Sequence, residues 1–365
     1  MQLSLQNINI SRKRVLIAPL DWGLGHATRC IPIIKEFATQ GFEVMIAGEK
    51  AGAVLLQQEF PNLKIINLKG YGISYAKKQQ FFFTKILSQI PKINAAIKHE
   101  NKWLQKIIEK YKIDIVVADN RYGLYNKNCY CIFITHQLFI KTGNRFTEWL
   151  AQKINYGFIN NFNECWVPDV EGNENLAGKL SHPLVMPKIP VKYIGTLSRF
   201  KRLETKNNID LLVMLSGPEP QRTILEEILL GELKETVLKT VFVRGLPNQP
   251  NKISIKNKSI EIINHLPANE LNALICAAKI VVARSGYSTV MDIAVLQKPS
   301  ILIPTPGQTE QEYLAKYLAE KKYCITAEQK GFNLQKEIEK LNKTTLEKFP
   351  LVQDEVLKKV INGLK

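Results

Sequence analysis

The sequence predicts an α/β protein built from two doubly wound parallel-sheet domains that face each other across a cleft. Three observations carry this expectation. The chain has 365 residues, enough for two domains at roughly 150 residues each. Its β-branched runs are continuous and separated by amphipathic stretches, the pattern of a parallel sheet covered by helices on both faces. The strand-loop-helix pattern also begins twice, near residues 15 and 210.

In the first half, Val15 to Ala18 reads as a buried strand and Thr28 to Gln40 as the helix after it. Gly41 closes that helix, and Glu43 to Ala47 starts the next strand. Ile113 to Ala118, Cys131 to Thr135 and Cys165 to Val167 are further strands. From Glu171 to Asn208 the chain is punctuated by His182-Pro183, Met186-Pro187 and Ile189-Pro190 and ends rich in Lys and Arg, so it reads as the connection. The second half opens with a strand at Asp210 to Leu215, the turn Ser216-Gly217-Pro218 and a helix through Leu230. Thr240 to Val243, Ile260 to Ile263, Ile280 to Ala283 and Ser300 to Ile303 continue it, and beyond Gly331 the chain is helical and lysine-rich. The expected limits are 1–195 for the first domain, 196–208 for a linker, 209–345 for the second domain and 346–365 for a C-terminal helix.

Composition narrows the function classes. At 45% apolar and 23% charged, the chain is not collagenous, coiled-coil or wholly disordered. No run approaches the roughly 18 apolar residues a membrane-spanning helix needs, and the polar opening Met1 to Ser11 predicts no secretory signal. Six cysteines lie scattered, mostly in apolar runs such as Cys131-Ile-Phe-Ile-Thr135, which predicts buried free thiols and a cytoplasmic setting. The 50 basic and 33 acidic side chains leave a net charge of +17. That field favours anionic partners without choosing among phosphorylated metabolites, membrane surface and nucleic acid. No nucleic-acid-binding module is present, so no nucleic-acid partner is expected.

Ligands of doubly wound folds bind at the loops that follow the strands. The first such loop is Asp21-Trp22-Gly23-Leu24-Gly25-His26-Ala27-Thr28-Arg29. Gly23 and Gly25 permit a tight turn and close backbone approach, and the following helix offers N–H groups to an anion. As a dinucleotide fingerprint it is incomplete, because Thr28 stands where the third glycine belongs. At a helix start, neutral His26 is favoured, which suits a general base or a donor to a sugar hydroxyl; a capping role is the plainer alternative. Asp119-Asn120-Arg121 follows the Ile113 strand on the same rim. Asp119 is a second candidate base and Arg121 a candidate anion clamp, or the pair is a solvated turn. His136-Gln137 ends the next strand, where a lone histidine is more often structural.

The second half carries Arg284-Ser285-Gly286-Tyr287-Ser288-Thr289-Val290-Met291-Asp292 directly after a strand. Ser285 is expected to cap the helix, Gly286 to let a ligand approach, and the first-turn amides to face a diphosphate. Asp292 shares a helix face with Ser288 and can accept bonds from ribose hydroxyls. The next strand ends in Pro306-Gly307-Gln308-Thr309-Glu310-Gln311, a loop of amides and carboxylates suited to sugar hydroxyls, and His265 ends another. Caps and turns are the alternative reading of each loop.

Arg284 to Asp292 and Pro306 to Gln311 resemble the C-terminal domain of the family 28 glycosyltransferases, the family of MurG and the monogalactosyldiacylglycerol synthases. Gly23-Leu-Gly-His26 is similar to the glycine-rich first loop of their N-terminal domains. The resemblance is most specific over about residues 260–318. It implies a GT-B fold, an acceptor on the first domain, a nucleotide-sugar on the second, and inverting transfer without an essential metal or other cofactor. By position it implies Asp292 at the ribose and Ser285, Gly286 and Ser288 at the diphosphate, with Arg284 among the nucleotide-sugar-binding residues. Gln308, Glu310 and Gln311 fall at the donor sugar, His265 near the base, and Ser216-Gly217 in the glycine-rich donor loop. Gly23, Gly25 and Arg121 fall on the acceptor side. The sequence departs from the family in having fewer glycines in the first loop, Asp292 in place of glutamate, and Leu314 where asparagine often precedes Ala315.

The reading is therefore a metal-independent hexosyl or N-acetylhexosaminyl transferase using a UDP-linked sugar and a glycan or glycolipid acceptor. A nucleotide-sugar 2-epimerase of the same fold and a non-catalytic nucleotide-sugar-binding protein are the alternatives, with a dehydrogenase more distant. Lys77 to Lys112 holds nine lysines against Glu100 and Glu109, interleaved with Phe81-Phe82-Phe83, Ile86, Leu87, Ile90 and Trp103. It is a candidate peripheral contact with an anionic membrane, on the inner face, or a crossover helix with solvated lysines.

Overall fold

The computed structural model describes residues 12–21, 23–71, 82–206, 208–246, 253, 256–350 and 355–365, with backbone alone over 82–90. Met1 to Ser11, Trp22, residues 77–81 and Asn207 lie outside the described residues, as do the side chains of Ile86, Leu87 and Ile90.

The first half forms a seven-stranded parallel sheet, order β3-β2-β1-β4-β5-β6-β7. Its strands are β1 (Arg14–Pro19), β2 (Glu43–Gly48), β3 (Lys64–Asn67), β4 (Ile115–Asp119), β5 (Tyr130–Ile134), β6 (Glu164–Val167) and β7 (Val191–Tyr193). Crossovers are α1 (Leu24–Thr39), α2 (Lys50–Glu59), α3 (Phe82–Tyr111) and α4 (Arg145–Ile159). The second half repeats the plan with six parallel strands, order β10-β9-β8-β11-β12-β13. These are β8 (Ile209–Met214), β9 (Thr240–Val243), β10 (Ile260–Ile263), β11 (Ala278–Ala283), β12 (Ser300–Leu302) and β13 (Ile325–Thr326). Its helices are α5 (Gln221–Glu232), α6 (Ala268–Ala277), α7 (Tyr287–Leu296), α8 (Thr309–Glu320), α9 (Leu334–Lys343) and α10 (Glu355–Asn362).

The central strands form because their side chains are apolar on both faces. Val15, Leu16, Ile17 and Ala18 of β1 are fully buried, as are Val116, Val117 and Ala118 of β4 beside them. Each sheet reverses its winding once, between β1 and β4 and between β8 and β11. Those switch points open the crevices where doubly wound folds take ligands.

Several elements differ from expectation. The stretch read wholly as a connection contains β7, whose Lys192 pairs with Trp166 as the sheet edge. β3 and the two-residue β13 are likewise edge strands, short and partly polar, so their apolar signal is weak. α1 begins at Leu24, four residues earlier than its periodicity suggests, because Gly23 takes the left-handed φ of +74° that turns the chain into the helix. The described half of α3 buries Ile97, Leu104 and Ile107, keeps Lys98, Lys102 and Lys106 exposed, and packs Trp103 against the core. This part of the basic segment is a crossover helix.

The halves are also closer than two domains joined by a linker would require. One apolar cluster includes Ile31 and Ile34 of α1 together with Val290 and Ile293 of α7. The chain end returns to the first half, where Gln40 Nε2 donates to Lys358 O at 2.8 Å and Lys13 Nζ to Leu364 O at 2.9 Å. All six cysteines are free and buried.

Candidate active site

At the switch point of the first sheet, Gly23 turns the chain and His26 falls in the first turn of α1. Asp119 ends β4 opposite Pro19 of β1, so the strand register itself brings it beneath α1. His26 Nδ1 lies 3.0 Å from Asp119 Oδ2. Arg29, on the next turn of α1, grips Asp119 with Nε at 2.8 Å and with Nη2, and Cys30 Sγ adds a contact at 3.7 Å.

Electrostatics then separate the two candidate bases. Burial lowers the His26 pKa below the ordinary 6.5, the Arg29 charge lowers it further, and Asp119 only partly offsets them. Burial alone would raise Asp119, but Arg29 and then His26 outweigh it and hold the carboxylate well below its usual range. A carboxylate that acidic, with no exposed surface, cannot take a proton from an acceptor hydroxyl. Asp119 is placed against His26 Nδ1 and away from any acceptor, and its candidacy as a base is corrected.

Two arginines expected to bind ligand are corrected as well. Arg121 has no exposed surface: it ion-pairs with Glu100 at 2.8 Å and donates to Pro19 O at 2.8 Å inside the first domain. Arg284 is 1% exposed and donates to Pro304 O, Gln221 O and Gln329 Oε1 at 3.1, 2.8 and 2.6 Å. Each faces its own core, where carbonyls together with the Glu100 carboxylate or the Gln329 amide take up guanidinium N–H groups. Neither side chain is available to an acceptor or a diphosphate.

Around the second switch point, Ser216 and Gly217 follow β8 on an exposed loop, and Gly217 has φ +105°. Ser285 does not cap α7; it is fully buried and its Oγ donates to Gln311 O at 2.8 Å, joining the turn before α7 to the first turn of α8. Gly286 is the N-cap residue. A Cβ there would meet nothing nearer than Gln311 Nε2 at 4.0 Å, so protein packing makes no demand for glycine. At Gly25 the reverse holds: a Cβ would come within 2.9 Å of Ser288 Oγ, which donates to Gly25 O at 3.1 Å. The first turns of α1 and α7 thus abut, and that glycine serves the contact between halves.

Asp292 lies further along α7 and accepts from Ser198 Oγ at 2.5 Å. Burial raises its pKa to about 7, against the opposing effects of Ser198 and Arg199. His265 is exposed at the end of β10, its pKa lowered by burial and then by Arg199. In the sugar loop, Gln311 Nε2 donates to Gln308 Oε1 at 2.6 Å and Thr305 N donates to Gln311 Oε1 at 2.9 Å. Glu310 turns to the first half, with Oε1 2.7 Å from His136 Nε2 and Oε2 accepting from Gln137 Nε2.

The structure therefore brings His26 and Asp119 together and sets the start of α7 against them. It adds groups the sequence reading did not select. Arg29 carries a local signal, three residues after His26 on one helix face. His136, weighed as structural, instead bridges the halves. Nothing in the sequence singles out Ser198 and Arg199, which reach the site only because the connection runs along α7.

Two facing Rossmann-type halves with a histidine-aspartate pair on one switch point and a glycine-led helix start on the other define the chain as a GT-B glycosyltransferase. Residues 221–360 match the glycosyltransferase family 28 C-terminal domain, and residues 14–142 match glycosyl transferase family 1. The second half thus carries the family 28 glycosyltransferase C-terminal domain. A relative from Actinobacillus pleuropneumoniae is 27% identical over 341 residues, spanning 88% of this chain and 87% of its own. It is the UDP-N-acetylglucosamine--N-acetylmuramyl-(pentapeptide) pyrophosphoryl-undecaprenol N-acetylglucosamine transferase. Among solved structures, the kitacinnamycin glycosyltransferase aligns at TM-score 0.65 and 13% identity, covering 97% of this chain and 94% of its own. Acinetobacter baumannii MurG aligns at 0.54 and 13%, covering 96% and 94%.

Proposed function

We propose that this enzyme moves a hexosyl or N-acetylhexosaminyl group from a UDP-linked sugar to an acceptor hydroxyl, with inversion and without a resident metal. The relatives of similar length are transferases, which favours this reading over an epimerase or a non-catalytic binding protein. One observation carries the chemistry: a neutral histidine, oriented by a buried carboxylate, stands where the starts of α1 and α7 meet.

In this reading the acceptor lies on the first domain beside Gly23, and its hydroxyl gives its proton to His26 as oxygen attacks the anomeric carbon. The sugar-phosphate bond breaks through an oxocarbenium-like state. Negative charge then grows on the diphosphate, where the N–H groups that begin α7 at Gly286 and Ser288 stabilise it. The Ser216-Gly217 loop closes over the same end. Asp292 accepts from the ribose hydroxyls, His265 flanks the base, and Gln308, Glu310 and Gln311 hold the sugar. Because the helix start and the +17 net charge supply the electrostatics, the reaction needs no added cation or cofactor.

The test is a thermal-shift screen of nucleotide-sugars with EDTA present, since stabilisation grows with ligand saturation. UDP-hexoses or UDP-N-acetylhexosamines are expected to raise the melting temperature, and turnover to survive the chelator. Stabilisation by nicotinamide dinucleotides alone, or turnover abolished by EDTA, would contradict the reading.

The acceptor is read as a glycan or glycolipid, with the enzyme in the cytoplasm and peripheral on the inner membrane face. No helix of the described residues is long and apolar enough to cross a membrane. Beyond the lysines of 77–112, α4 exposes Phe146, Trp149, Leu150 and Ile154 at helical spacing beside Arg145 and Lys153, with Leu184 and Val185 exposed in the neighbouring loop. Aromatics among cations suit an anionic bilayer surface. The protein is expected to co-sediment with phosphatidylglycerol vesicles at low salt and to release at high salt. Protein left in the supernatant at low salt ends the membrane assignment.

A further inference from the structure

We infer that Arg29 and His136 are positioning residues that couple the base on the first domain to the sugar-holding loop on the second. The inference rests on the transferase reading above. It starts from hydrogen-bond polarity. A guanidinium donates and never accepts. Arg29 Nη1 lies 3.3 Å from His136 Nδ1, so that nitrogen accepts and the ring carries its proton on Nε2. Nε2 points at Glu310 Oε1, 2.7 Å away, and donates to it. The chain of bonds therefore runs in one direction, from Arg29 through His136 to a carboxylate on the other domain.

The ring that transmits this polarity is held in place. Tyr287 of α7 stacks on His136 with centroids 4.1 Å apart and planes 6° from parallel. Its hydroxyl donates to Pro168 O at 2.7 Å, back on the first domain. His136 thus reads Glu310 only when the two halves are brought together in this arrangement.

Arg29 is also the group that decides which proton His26 carries. His26 Nδ1 has two neighbours with opposite demands: Asp119 Oδ2 at 3.0 Å accepts from it when Nδ1 carries the proton, and Arg29 Nη2 at 2.8 Å donates to it when Nδ1 is bare. Only the bond to Asp119 leaves Nε2 unprotonated and able to take a proton from the acceptor. Anchoring Arg29 to Asp119 through Nε and to His136 through Nη1 sets where Nη2 lies. A sugar hydroxyl that engages Glu310 changes the load on His136, and through Arg29 the tautomer of His26. Base alignment is in this way tied to donor occupancy and domain closure.

The test compares wild type with His136→Leu and His136→Gln, because glutamine keeps one acceptor and one donor and leucine keeps neither. UDP binding is measured by calorimetry, and kcat and KM by UDP release from a panel of UDP-hexoses and UDP-N-acetylhexosamines with water as acceptor. His136→Leu is expected to bind UDP within about threefold of wild type while kcat falls about 10²-fold, the scale of a misplaced reacting group. His136→Gln is expected to recover kcat to within about fivefold, a small loss for a preserved hydrogen-bond pattern. Unchanged kcat in His136→Leu overturns the coupling. So does a His136→Gln enzyme that melts as wild type yet is as slow as His136→Leu, or loss of UDP binding in both variants, which marks a merely structural role. Wild type that binds no UDP overturns the transferase reading itself, and the coupling with it.

Discussion

His26→Ala is expected to lower kcat about 10³-fold, within the range for losing a positioned general base, while UDP affinity changes little. The separation follows from the layout: His26 belongs to α1, whereas the groups assigned to the nucleotide lie on the second domain. The pH profile provides a second check. The His26 pKa lies below 6.5, through burial first and the Arg29 charge second, so the base is neutral at pH 7. At saturating donor, where the Asp292 effect on UDP affinity drops out, kcat should rise with pH through an acidic limb below pH 6.5 and then level off. His26→Ala should lose that limb. Steady-state rates across pH 5 to 9 decide the matter, and a variant with wild-type kcat removes His26 from the chemistry.

Asp292→Ala is expected to do the opposite, weakening UDP binding about 10²-fold, as when two hydrogen bonds to a charged group are lost, with kcat at saturating donor nearly kept. Here too pH gives a signed expectation. Burial raises the Asp292 pKa from 3.8 to about 7 in the donor-free protein. Only the ionised carboxylate accepts from both ribose hydroxyls, so UDP affinity should fall as pH drops below about 7. Stability runs the other way. The folded protein keeps a proton that the unfolded chain releases above pH 3.8, so this group's contribution falls as pH rises from 3.8 to about 7 and is level beyond. Asp292→Asn should therefore melt about 3 °C higher than wild type at pH 8, the shift expected for roughly 1 kcal/mol. Calorimetric titration of UDP at several pH values tests the affinity limb. Equal affinity in Asp292→Ala would place the ribose elsewhere.

The central strands were readable because a parallel strand buried on both faces must be apolar through its middle, as β1, β4, β8 and β11 are, with their charged residues near the strand ends. Edge strands escape that rule, and β3, β7 and β13 were correspondingly faint. The same distinction runs through the site. His26 and Gly286 stood out because a helix start after a strand has a local chemical signature. Arg121 and Arg284 were misread because a charge at a strand end looks the same whether it faces a ligand or the core. In both cases the carbonyls that satisfy the guanidinium come from distant segments, Pro19 for one and Gln221 for the other.

By itself the sequence determined the alternation of strands and helices, the two winding origins and the loops that had to carry chemistry, since periodicity, glycine turns and helix starts are properties of near neighbours. Only the tertiary structure decided that Asp119 lies against His26, that Ser198 meets Asp292, and that His136 reaches Glu310. Those partners stand 93, 94 and 174 residues apart. No local pattern encodes a contact at that separation; it exists only once sheet register and the packing of α1 against α7 have placed both groups at one point.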